Sequence, residues 1–159
     1  MTKPHRIAAG GMTFRGKAVL LVRYRDSDGG TYLVGPGGAL QDDENVVQAI
    51  VRETKEETAV TVRPKRVVVI EDLVCSRFKM SKVWMICEVV EGKVRRTEGA
   101  EKEGIIEAAW FTKDQLVNEV VFPPALMQHD WDQLRSENWQ VKCEPSRKVN
   151  FLRKKYRGE

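Results

Sequence analysis

Glu53 follows Arg52 directly, Glu56 and Glu57 come after two more residues, and Gly35-Pro36-Gly37-Gly38 lies a short way upstream. On a helix Glu53 and Glu57 sit one turn apart and Glu56 is three residues from Glu53, so all three carboxylates project from one stripe. Like charges at that spacing repel by roughly a few tenths of a kcal/mol per pair. A divalent cation removes the conflict. An all-oxygen donor set favours Mg²⁺ or Mn²⁺ over zinc, and Mg²⁺ takes few carboxylates, keeps waters and shares substrate phosphates. The glycines permit positive φ and a close approach of backbone to a metal-bound pyrophosphate, although a plain tight turn has the same composition. The competing reading of the acids is a solvated helix face whose charge is met by Arg52 and Lys55.

The elements that must hold these groups follow from the pattern. Asp42 and Asp43 are candidate N-caps, suited to the positive end of a helix dipole. From Glu44 to about Thr58 no Gly or Pro intervenes, and Val46, Val47, Ile50, Val51 and Thr54 gather on one side, which is expected to face a core. Ala49 lies on the carboxylate stripe and is expected to leave space beside the acids. Ile7 to Phe14 and Ala18 to Tyr24 form two strands joined through Arg15-Gly16-Lys17, and Thr31 to Val34 is a short strand entering the glycines. Thr61 to Leu73 and Lys82 to Val90, rich in Val and Ile, suit strands buried on both faces, and Ile105 to Phe111 is another. Val74 to Ser81 and Glu91 to Gly104 are the expected loops. Lys113 to Val120 suits a short helix. Pro123 and Pro124 suit the start of one more, with Leu126, Met127, Trp131 and Leu134 on a face for core or dimer contact.

Gly38, Glu44, Arg52, Glu53, Glu56, Glu57 and Val60 stand in the register of one known signature. It is a Gly, five residues, a Glu, seven residues, Arg-Glu, two residues, Glu-Glu, any residue, a Gly and an apolar position, and the chain thereby resembles the Nudix (MutT-type) hydrolases. With each type at roughly 7% of residues, seven coincidences arise by chance about once in 10⁸ starting points. Two positions depart from the pattern. Thr54 stands where an aliphatic residue is usual, and Ala59 replaces the glycine that lets the chain leave the helix left-handed, so the exit is expected to use a different turn.

The resemblance implies an α/β fold, the Nudix α/β/α sandwich with a mixed β-sheet between helices, over roughly Arg6 to Leu134. A Nudix domain is expected over residues 1–144, followed by a basic C-terminal extension, 145–159, that charge composition marks off and that is not a separate domain. The implied activity is Mg²⁺- or Mn²⁺-dependent hydrolysis of a diphosphate linkage in a nucleoside diphosphate linked to some group X. Glu53, Glu56 and Glu57 would hold metal, joined by the backbone carbonyl of Gly38. Arg52 would orient Glu53 or Glu57, and Glu44 would bind a further ion through water or complement the helix start. A further glutamate is expected from the loop before Ile105. Glu103 is the first choice, with Glu101 and Glu107 behind it, as ligand or as the base that deprotonates water. Arg23, by its place on the second strand, and the backbone of Gly37 are expected at the phosphates, and Phe78 or Trp84 at a nucleobase.

A (deoxy)nucleoside triphosphate is the first expected substrate, then ADP-ribose or a nucleotide sugar. A Nudix module that binds nucleotide or RNA without cleaving it belongs to a different class, and retention of every acid argues against it. An isoprenyl-diphosphate isomerase is disfavoured because nothing near Cys75 or Cys87 resembles its catalytic surroundings.

Composition sets outer limits. The chain has 159 residues, 42% of them hydrophobic, the size of one domain able to bury a core without staples. Its apolar runs are too short to span a bilayer, and Met1 to Gly11 has no apolar signal-like stretch, so a cytoplasmic location is the default expectation. Cys75, Cys87 and Cys143 are odd in number and lack CxxC spacing, which points to reduced thiols with Cys87 in the core. Residues 145–159 carry Arg147, Lys148, Arg153, Lys154, Lys155 and Arg157 against Glu159 alone, enough to account for the net charge of +4. That tail is expected to be solvated or docked on its own domain, with RNA or substrate phosphates as its weaker alternative partners.

Overall fold

A computed structural model describes residues 2–149. Its centre is a mixed sheet of ten strands. They are β1 (His5–Arg15), β2 (Ala18–Arg25), β3 (Thr31–Val34), β4 (Gly37–Ala39), β5 (Thr61–Val74), β6 (Lys79–Glu91), β7 (Ile105–Thr112), β8 (Val121–Phe122), β9 (Lys142–Cys143) and β10 (Arg147–Lys148). The main path runs β10-β5-β6-β1-β2-β3-β8, with β4 on β1, β7 on β2 and β9 on β5. β1 runs parallel to β6 and antiparallel to β2 and β4. Four helices complete the fold: α1 (Val46–Thr58), α2 (Glu98–Lys102), α3 (Ala125–Gln128) and α4 (Trp131–Arg135).

Alternation along the central strands sorts side chains onto the two faces. Ala9, Met85 and Cys87 point to one face, where Ala49 and Ile50 of α1 pack on them. Met12, Trp84 and Ile86 point to the other, where Leu126, Trp131 and Leu134 of α3 and α4 cover them. Helices therefore lie on both sides of the sheet, the expected α/β/α sandwich.

Several boundaries differ from the expectation, each for a local reason. The cap of α1 is Asn45 rather than Asp42 or Asp43. Its side chain accepts from Gln48 N–H while Gln48 returns a bond to the Asn45 N–H, a reciprocal pair that neither aspartate could make. Val47 is 43% exposed, because the buried stripe of α1 passes through Ala49, Ile50, Glu53, Thr54 and Glu57 instead. Ala49 is itself buried, packed in the core beneath α1 rather than leaving a gap.

The helix exit also overturns the expectation of a different turn. Ala59 takes the left-handed conformation, φ 65°, that the usual glycine would take, and its N–H reaches Lys55 O. The segment expected as a loop before Ile105 contains α2. The single helix expected after Pro124 is two short ones, broken where Asp130 caps α4 through the N–H groups of Asp132 and Gln133. Lys113–Leu116 is one turn of 3-10 helix. The sheet continues beyond residue 144. Arg147 and Lys148 pair with Leu73 and Val74, and Val149 is buried beside Ala8, Leu73, Phe78 and Met80. The rest of the basic tail lies outside the described residues.

Candidate active site

The glycine strand and α1 meet through one side chain. Gly37 and Gly38 pair with Gly10 and Ala9 of β1, and a Cβ built on Gly38 would lie 2.4 Å from Glu53 Oε1. Any side chain there would have to push that carboxylate aside. A Cβ on Gly37 would fall 2.3 Å from Ala9 O, so the pair of glycines seats β4 against both β1 and α1.

Glu53 is 6% exposed and Glu57 fully buried, an unusual place for two acids on one helical stripe. Glu103 completes the group. Oxygens of Glu53, Glu57 and Glu103 all lie within 4.8 Å of one another. Glu103 arrives by way of α2. Thr97 caps that helix by accepting from Ala100 N–H, and its hydroxyl also donates to the Glu56 carbonyl of α1. Gly99 fits close to the same carbonyl, where an added Cβ would stand at 3.3 Å. The two helices are thus locked together, and Glu103, capping the end of α2, is delivered to the buried acids.

Arg52 supplies the local counter-charge. Its Nε and Nη2 donate to the two oxygens of Glu44, the second at 2.9 Å, and its Nη1 reaches Glu53 Oε1 and Glu56 Oε2, both at 3.2 Å. Of the two acids it was expected to orient, it touches Glu53. Hydrogen bonding to Glu44 pushes the Arg52 guanidinium above its ordinary value, and Arg52 in turn holds the Glu44 carboxyl below its usual range. Glu44 is therefore a clamp on Arg52.

Other expected site residues lie apart from the three converging acids. Glu56 points outward, its side chain 48% exposed, and pairs with Arg52. Arg23 is enclosed by its own acids, with Nε on Glu107 at 2.8 Å, both Nη atoms on Glu119 and Nη1 also on Thr31. Glu107 is thereby committed to Arg23, and Glu101 faces Arg96 at 3.8 Å. Phe78 is buried with Ala8, Leu73 and Met80, Arg6 lying 4.5 Å from its ring centroid. Trp84 is also core, its indole N–H donating to Glu71.

Sequence reasoning missed α2, and Thr97 ahead of Glu98, with Lys102 in the last turn, was the available signal. One oxygen of Glu53, Oε2, is buried without a hydrogen-bond partner. An orphaned carboxylate oxygen beside two more acids is costly unless a cation completes it, so the donor set fits a hard divalent ion.

A family model for the NUDIX domain matches residues 4–134. The chain belongs to the Nudix family. Among solved structures it is similar to a Nudix hydrolase from Nitrosomonas europaea, at 25% identity over 79% of this chain and 85% of that one, with TM-score 0.66. It is similar at 25% identity to an ADP-ribose pyrophosphatase from Streptococcus suis, covering 87% and 98% of the two chains with TM-score 0.60. A MutT Nudix hydrolase from Burkholderia pseudomallei, at 22% identity over 80% and 100% with TM-score 0.64, shares the fold. None of the curated proteins matches. As a Nudix member with the full set of acids the protein is a pyrophosphohydrolase, of a family that uses divalent metal ions and acts on small nucleotides. Among the described residues no helix is long and apolar enough to cross a membrane.

Proposed function

We propose that this Nudix protein hydrolyses a diphosphate linkage in a nucleoside diphosphate joined to another group, with Mg²⁺ or Mn²⁺ held by Glu53, Glu57 and Glu103 and by the Gly38 carbonyl. The clustering of those three carboxylates, together with a buried Glu53 oxygen that has no hydrogen-bond partner, supports the reading. When bound, the ion would neutralise phosphate charge and lower the pKa of a water. The chain's own groups do the rest. Arg52 fixes Glu53 through a charge-assisted bond, and the Gly37-Gly38 backbone gives the phosphates a surface without side chains. Glu103, the exposed member of the three, takes the proton from the attacking water and passes it to solvent. Glu56 holds Arg52 in line and stands at the rim for a further ion.

A (deoxy)nucleoside triphosphate is the substrate we favour, since the described residues carry no recognisable addition for a larger group X. ADP-ribose is the second reading, favoured by the Streptococcus suis neighbour. Arg23 and Phe78 are given no substrate contact, because their side chains are engaged within the fold. The test is product mass and phosphate release over a panel of nucleoside triphosphates, ADP-ribose and nucleotide sugars with Mg²⁺. Glu57→Gln is expected to lower turnover by about 10²–10⁴-fold with the thermal midpoint nearly unchanged. Nucleotide binding with no product from any member of the panel would transfer the protein to the non-catalytic class.

A further inference from the structure

Glu71 is a buried acid with no part in the hydrolytic reading. It is 3% exposed on β5, opposite Lys82 of β6. Its Oε1 accepts from Trp84 Nε1 at 2.7 Å, and its Oε2 lies 2.9 Å from Arg147 Nη2 on β10. One oxygen of this buried carboxylate accepts the indole hydrogen bond and the other faces the Arg147 guanidinium as an ion pair, which offsets the cost of burying the acid.

Trp84 carries the influence of Glu71 to the site. Its ring lies so close to β1 and the glycine turn that a Cβ at Gly10 would come within 2.3 Å of it, and one at Gly35 within 2.7 Å. Lys82 Nζ sits 4.3 Å from the same ring's centroid. Gly35 and Pro36 lead into β4, whose Gly38 is the seat of Glu53. Two hydrogen bonds tie that turn down, Gly35 N–H to Phe122 O at 3.1 Å and Gly11 N–H to Pro36 O at 2.9 Å. The indole is packed against Gly10 and Gly35, and its N–H is fixed by the bond to Glu71, so a change of tilt would meet close-packed backbone.

We propose that Glu71 is a positioning residue for the metal site: it holds the Trp84 indole under Gly35-Pro36-Gly37 and thereby fixes Gly38 against the Glu53 carboxylate. Arg147 keeps Glu71 in place from the last described strand, so β10 helps to set the geometry of α1 across the sheet. The inference rests on reading Glu53, Glu57 and Glu103 as metal ligands.

Two readouts on the full chain test it: amide hydrogen exchange by NMR and Mn²⁺ binding by electron paramagnetic resonance. Glu71→Ala removes the acceptor, Trp84→Phe keeps a ring but removes the N–H, and Glu71→Gln keeps a neutral acceptor. In the first two variants exchange at Gly11 and Gly35 is expected to quicken by about tenfold while Ala49, inside α1, exchanges as in the wild type. The Mn²⁺ dissociation constant should rise about five- to tenfold. Glu71→Gln should restore both to within about twofold of wild type, and Arg147→Ala should fall between.

Unchanged exchange at Gly11 and Gly35 in folded Glu71→Ala overturns the inference. Acceleration shared equally by Ala49 also overturns it, since it would report general loosening. If Glu71→Ala does not fold, Trp84→Phe decides the question alone. A wild-type protein that binds no Mn²⁺ would sink the metal reading, whereas normal Mn²⁺ binding without the exchange contrast would sink this inference only.

Discussion

Two arginines in this protein gather acids around themselves, and they do so to different ends. At Arg23, Glu107 and Glu119 come from β7 and the segment after it, Thr31 adds a hydroxyl, and each guanidinium nitrogen finds an oxygen. At Arg52, Glu44, Glu53 and Glu56 share one guanidinium, one Glu53 oxygen is left over, and Glu57 and Glu103 crowd beside it. The first cluster is complete within the chain. The second gathers five acids about one arginine and leaves a buried Glu53 oxygen without a hydrogen-bond partner, a donor set that suits a hard cation.

The contrast can be broken in order of expected effect. Gly38→Ala puts a methyl where the Glu53 carboxylate lies, and a displacement of about 1 Å at a metal ligand costs about 10²-fold in turnover. Steady-state rates with Mg²⁺ check this, and wild-type rates would mean that Glu53 has another place to go.

Deleting each arginine sharpens the comparison. Arg52→Ala and Arg23→Ala should each cost about 2 kcal/mol, because both leave partly buried acids uncompensated. Thermal melts with and without about 10 mM Mg²⁺ then separate them, because an ion that binds only the folded state adds stability. Arg52→Ala should gain more from the ion than Arg23→Ala does, and equal gains would make the two clusters alike.

Ala59→Gly relieves the left-handed strain next to the site and should stabilise by about 1 kcal/mol, read as a raised melting temperature with unchanged kcat. The smallest effect is in the acid limb. Arg52 holds the folded-state Glu44 carboxyl below the ordinary value of 4.5, so its contribution is present above that pH and fades as pH falls through the lower, folded value. Glu44→Gln should therefore lower the midpoint above pH 4.5 and converge with wild type as the pH falls below that value, with the Arg23 cluster unaffected.

Much of the site was legible because the spacing of Arg52, Glu53, Glu56 and Glu57 is fixed by the pitch of a helix, which needs no partner to be inferred. Position along that helix was less so. The sequence marks Val46, Val47, Ile50, Val51 and Thr54 as the apolar side, and Ile50 and Thr54 are buried with Val46 packed on the core, yet the buried stripe also takes in Glu53 and Glu57 while Val47 is left exposed. Hydrophobicity alone would not bury two acids. The room that Gly38 leaves and the locking of α2 onto the Glu56 carbonyl do so.

Arg23 is the converse case. Its type and place on β2 suggested phosphates, but its partners come from positions 107 and 119, which no local pattern connects to it. Glu103 and Glu107 are equally acidic in sequence. Only the fold separates them, sending one to α1 and the other to β2.

By itself the sequence determined which residues can bind a hard cation and that a glycine turn and a helix must present them, since both follow from residue type and short-range geometry. Tertiary structure decided which acids converge, which arginine is already engaged within the fold, and how Trp84 and Glu71 sit beneath the glycine turn. Those outcomes depend on contacts between strands distant along the chain, where burial and close packing, rather than spacing, choose the partner.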